Sequence, residues 1–188
     1  MKKNHLFLLL AAVTSLGFSA CNPEKKTTDP QVFTIVNRKG CRAEFCENGA
    51  RLMSLKVPGK DGKLVDVVIG FADPKDYDSA TEPYFGATIG RYGNRICKGK
   101  FSLDGKPYQL TINNGINTLH GGKTGFQYQS WNLHKPNDSP LVCTLISPDG
   151  DNGFPGTLDA KVIYRLTSGN ALEIEYEAIT DKPTIVNL

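Results

Sequence analysis

Between Phe33 and Val186 lie short segments in which apolar residues recur at every second position, as on half-buried strands, and not at the spacing of a helical face. The pattern is plainest at Leu158, Ala160, Val162, Tyr164 and Leu166, and again at Leu172, Ile174, Tyr176 and Ala178. Thr167-Ser168-Gly169-Asn170 separates these runs with the small polar residues of a tight reversal, which predicts an antiparallel hairpin. A second hairpin is predicted around Asp104-Gly105-Lys106-Pro107, with Phe101 to Leu103 before it and Tyr108, Leu110 and Ile112 alternating after it. Asn48-Gly49, Asp61-Gly62, Asn114-Gly115, Asp149-Gly150 and Asn152-Gly153 add further turns, each pairing a residue tolerant of positive φ with a glycine. Short β-rich segments punctuated this often predict an all-β protein, a large antiparallel β-sandwich. Thr184-Ile185-Val186-Asn187-Leu188 reads as one more strand, on which the sequence stops, so a truncated chain is expected.

The first twenty residues follow another pattern. Lys2 and Lys3 precede the apolar run Leu6 to Val13, and small residues then lead to Cys21. This predicts a secretory signal, too short to span a bilayer, over residues 1–20. Phe18-Ser19-Ala20-Cys21 resembles a bacterial lipoprotein box, in which Cys21 becomes the lipidated first residue. The polar, proline-broken stretch 21–30 suits a tether, and the folded domain is expected over 31–188. The expected location is the cell envelope or periplasm, with membrane contact only through the anchor.

Composition narrows the function classes. The 188 residues are 39% hydrophobic and 22% charged, which excludes collagen-like and wholly disordered chains. Losing Lys2 and Lys3 with the signal lowers the formal charge from +3 to +1, so nothing favours nucleic acid as a partner. Cys41, Cys46, Cys97 and Cys143 match no small disulfide framework and read equally as pairs or as buried thiols. His5, His120 and His134 give no familiar metal spacing with them, so no metal site is expected.

Two clusters hold polar side chains beside glycines, where sharply turning backbone can place them. Tyr84 to Ile96 contains Arg91, Asn94 and Arg95 among three glycines. Asn113 to Gly122 contains three further asparagines and His120. Alone, each has a plain structural explanation in surface cations and capped turns. Together, amide, guanidinium and imidazole groups suit a neutral polyhydroxylated ligand whose hydroxyls each donate and accept. His134 is expected in a surface loop, Asp149 and Asp151 in a turn and not a calcium loop, and Phe85 in the core, with Tyr84 and Trp131 able to stack on a sugar face.

Asn94-Arg95-Ile96, Leu119-His120-Gly121-Gly122, Asp149 to Gly156 and Thr180 to Leu188, in this order and spacing, resemble the aldose 1-epimerase (galactose mutarotase) family from about Val32 onward. The resemblance implies a large antiparallel galactose mutarotase-like β-sandwich, present here only as its N-terminal half, with a sugar pocket on a concave face, a monosaccharide substrate such as galactose or glucose, and no cofactor. It further implies that Asn94, Arg95 and His120 bind sugar hydroxyls. Mutarotation opens a hemiacetal, so a base takes the anomeric proton while an acid protonates the ring oxygen. In the family the acid is a histidine shortly after the Val-Asn-Leu strand and the base a glutamate far downstream. Neither position exists before Leu188, so no catalytic residue is assigned and the chain alone is expected to be inactive. Two alternatives stay open: a non-catalytic carbohydrate-binding lipoprotein, and a purely structural surface β domain.

Overall fold

The computed structural model describes residues 30–137 and 140–188. The signal segment, Cys21 and the tether up to Asp29 lie outside the described residues. Among those described there are twelve strands and four short 3-10 turns, with no α-helix. Strands β1 (Val32–Val36), β2 (Arg42–Cys46), β3 (Arg51–Pro58) and β4 (Leu64–Asp66) form one antiparallel sheet in chain order. The second sheet runs β12-β11-β10-β9, with β9 at Asn132–His134, β10 at Leu141–Ser147, β11 at Leu158–Leu166 and β12 at Leu172–Thr180.

The two sheets face each other over one core. From β11, Leu158, Ala160, Val162, Tyr164 and Leu166 are all buried, the inward set that period-two spacing selects. They meet Ile35, Ala43 and Phe45 of the first sheet, with Phe126 and Trp131 buried in the same core. Phe45 and Tyr164 touch across the gap at 4.5 Å between ring centres, and the Tyr164 hydroxyl donates to Ala50 O at 2.8 Å. That bond satisfies the one polar atom of an otherwise apolar side chain, and it ties the sheets together.

Two short ribbons decorate the sandwich. β6 (Lys100–Leu103) and β7 (Lys106–Gln109) form the hairpin expected at Asp104-Gly105, where both residues have positive φ as a two-residue reversal requires. β5 (Arg95–Ile96) pairs with β8 (Thr118–Leu119), setting Arg95 opposite Leu119.

The structure corrects four expectations. Thr184 to Leu188 is not a strand; it runs beside Arg91-Gly93 through a single parallel bridge, with Asn187 N donating to Arg91 O and Gly93 N to Asn187 O. β12 pairs with β11 as expected, yet Ile174 and Tyr176 are each 45% exposed, because the opposing sheet does not extend over this edge strand. His134 ends the edge strand β9 rather than lying in a loop, and it is exposed. Phe85 is 39% exposed, since the turn that carries it is fixed through its backbone and not through its ring.

Candidate functional site

The ribbon of β5 and β8 brings the two polar clusters together. Asn94 precedes β5 and His120 follows β8, and both adopt left-handed backbone, with φ of 64° and 49°. His120 N donates to Asn94 O at 3.0 Å, which continues the ribbon by one rung. Asn94 N donates to His120 Nδ1, also at 3.0 Å. A nitrogen that accepts carries no proton, so the neutral imidazole holds its hydrogen on Nε2, away from Asn94. Burial, and then the charge of Arg95, lower the His120 pKa, which favours this neutral ring.

Arg95 is exposed and aimed by its neighbours. Its Nε donates to Asn114 Oδ1 at 3.0 Å, and Nη1 approaches Asn94 Oδ1 at 3.5 Å. Asn114 is set in turn by paired backbone bonds with Asn117 around Gly115. Asn113 plays a different part: its amide both donates to Leu119 O and accepts from Leu119 N, clamping the strand that delivers His120. Asn94, Arg95 and His120 therefore share one face, while Asn113 and Asn114 hold that face in shape.

Behind the face, main chain meets main chain. Gly121 has φ of 82°, and a Cβ there would overlap the Gly90 carbonyl. Phe126 N donates to that same carbonyl at 3.1 Å, and a side chain at Gly90 would collide with the Phe126 ring. Gly121 is thus needed where two backbones touch, and Gly90 where a ring packs on the chain.

Arg91 stands apart from Arg95. It is buried, donating from Nε to Ser147 Oγ, from Nη1 to Pro155 O and from Nη2 to the carbonyls of Ser147 and Pro148. Ser147 Oγ passes the chain on to Asp151 Oδ2 at 2.5 Å. Asp149 accepts from Gly156 N and Lys182 Nζ, so both carboxylates of this loop are spent on shaping it. Among the described residues no three His, Cys, Asp or Glu side chains gather as a metal site. Trp131 is buried, with its indole N–H donating to Phe126 O, and cannot reach a ligand.

Sequence reasoning missed Arg51, whose guanidinium is buried beneath the Tyr84 turn. The available signal was an arginine opening a strand whose next two residues, Leu52 and Met53, are apolar.

A sequence model of the family described as aldose 1-epimerase matches residues 31–188. The chain belongs to the aldose 1-epimerase family. It is 39% identical over 158 residues to the aldose 1-epimerase of Escherichia coli K12, covering 84% of this chain and 45% of that protein. To the galactose mutarotase of Sus scrofa it is 43% identical over 147 residues, 78% of this chain and 42% of that one. Among solved structures, the aldose epimerase homologue from C. elegans superposes with a TM-score of 0.79 at 32% identity, over 84% of this chain and 48% of that chain. Galactose 1-epimerase from Lactobacillus acidophilus gives 0.75 at 30% identity, over 88% and 48%. The chain thus spans about half the length of the aldose 1-epimerase relatives it matches, and its fold is the galactose mutarotase-like sandwich.

Proposed function

We propose that Asn94, Arg95 and His120 are the hexose-reading face of an aldose 1-epimerase site, and that this chain alone does not interconvert anomers. The observation that carries the reading is the acceptance by His120 Nδ1 of the Asn94 N–H, which leaves Nε2–H as a donor beside the Arg95 fork. A neutral donor, a cationic donor and an amide within one face suit vicinal hydroxyls, and a phosphate would call for more cations. The names of the relatives, aldose 1-epimerase and galactose mutarotase, make an aldohexose the first ligand to try.

Ring opening asks for a base at the anomeric hydroxyl and an acid at the ring oxygen. Here one imidazole is flanked by amides, a guanidinium, backbone and the Tyr84 ring, whose phenol burial pushes up to about 12, out of reach of a base working near neutral pH. A guanidinium stays protonated throughout and cannot serve as the second proton-transfer group. The pattern of residues 1–21 supports an exported form anchored through a lipid on Cys21, for which a Cys21→Ser chain that loses radiolabelled fatty acid is the control.

Calorimetric titration with galactose and glucose, beside polarimetry on freshly dissolved α-anomers, tests both statements. Binding weakened by Arg95→Ala and by His120→Ala, with optical change at the buffer rate, is the expected result. Acceleration by the unmodified chain would mean that an acid and a base lie within it.

A further inference from the structure

One side chain holds the backbone on either side of Tyr84. Arg51 in β3 is 1% exposed, and its Nη1 donates to Pro83 O at 2.9 Å and to Phe85 O at 2.7 Å. Nη2 reaches Gln127 O at 3.3 Å, Nε reaches Asn48 O at 3.3 Å, and the guanidinium lies 4.1 Å over the Tyr77 ring. The Pro83–Phe85 turn and the 3-10 turn Phe126–Tyr128 have no sheet ladder to fix them. A rigid planar cation with five donors takes that part. Gly86 secures the turn from its other end, where Leu52 N donates to Gly86 O at 2.9 Å and a Cβ would overlap the Leu52 carbonyl.

What this scaffold presents is Tyr84. Its half-buried ring lies 4.8 Å from the His120 imidazole, with the planes tilted by 50°. The Asn94 N–H fixes the imidazole at one atom only, and the torsion to an aromatic ring is broad and soft. An aromatic wall at contact distance limits that swing.

We propose that Tyr84 is the positioning residue of His120: braced by Arg51 through Pro83 and Phe85, its ring keeps Nε2–H directed alongside Arg95. The role of this brace in ligand recognition rests on the hexose reading given above. Tyr84 also takes part of the imidazole surface from water, which joins the Arg95 charge in favouring the neutral ring.

The test is an NMR titration of the His120 ring in the intact chain and in the Tyr84→Phe and Tyr84→Ala variants, with calorimetry against galactose on the same samples. Tyr84→Phe keeps the wall, so His120 should titrate with the wild type. Tyr84→Ala should raise the His120 midpoint toward the ordinary value of 6.5 and weaken galactose binding about tenfold. The Trp131 indole resonance, buried in the core, reports that each variant is folded. A folded Tyr84→Ala chain whose His120 titrates as in the wild type would overturn the proposal. If the unmodified chain binds no hexose while Tyr84→Ala still moves the His120 midpoint, the hexose reading fails and the brace stands.

Discussion

Asn94 and His120 are joined twice: the His120 N–H donates to the Asn94 carbonyl, and the Asn94 N–H donates to the His120 imidazole, both at 3.0 Å. The histidine therefore serves the fold and the face together, and substitutions can separate these roles. His120 has φ of 49°, a conformation that costs a β-carbon-bearing residue about 1 kcal/mol or more. His120→Gly should accordingly be more stable than His120→Ala by about 1 kcal/mol in urea unfolding, while both lose the hexose affinity measured by calorimetry. Equal stabilities would show that the backbone strain is relieved elsewhere.

The same pair gives a pH dependence with a definite sign. The folded His120 pKa lies below its unfolded value of 6.5, so between the two the unfolded chain binds more protons. Stability should fall as pH drops below 6.5 and level off beneath the folded pKa. Urea midpoints between pH 5 and 7 check this, and the slope assigned to His120 should vanish in His120→Gln.

Two arginines four positions apart should respond in opposite ways. Arg91 supplies four hydrogen bonds in a buried pocket, so Arg91→Met strands several carbonyls and is expected to cost about 3 kcal/mol or more. Arg95 is exposed, and Arg95→Ala should cost under about 1 kcal/mol while weakening the proposed hexose binding. Chemical denaturation and calorimetry on the two variants give the comparison.

The thiols provide an independent check on packing. Cys41, Cys46 and Cys143 are buried and Cys97 is exposed, all four unpaired. Burial pushes Cys46 up to about 11 and Cys143 up to about 12, which suppresses the reactive thiolate. Of these four, only Cys97 should react quickly with a disulfide reagent under native conditions, the others following at the unfolding rate. A Cys97→Ser chain that still showed one fast thiol among them would contradict the core assignment.

The sequence disclosed the sandwich because strand periodicity and turn chemistry are local. Gly49, Gly62, Gly105, Gly115, Gly150 and Gly153 all have positive φ, as their Asn-Gly and Asp-Gly pairs predicted, and β11 buries the alternate set read from its spacing. Arg91 and Arg95 could not be told apart because their difference is tertiary: one meets Ser147 and Pro155, the other Asn114. Arg51 escaped for a related reason, since its carbonyl partners lie up to 76 residues away. β12 carried the right alternation, but periodicity records which side of a strand is apolar and not whether anything lies over it.

The contact of Gly121 with the Gly90 carbonyl has a consequence for how ligand choice can change. Where two peptide planes already touch, neither loop has room to retreat before a bulkier guest, nor slack to close upon a smaller one. The mould is cast in the chain itself, and only its paint can be altered. On the proposed hexose reading, a change of preference in this chain would fall to the outward groups at Asn94, Arg95 and His120 and to the tyrosine wall beside them.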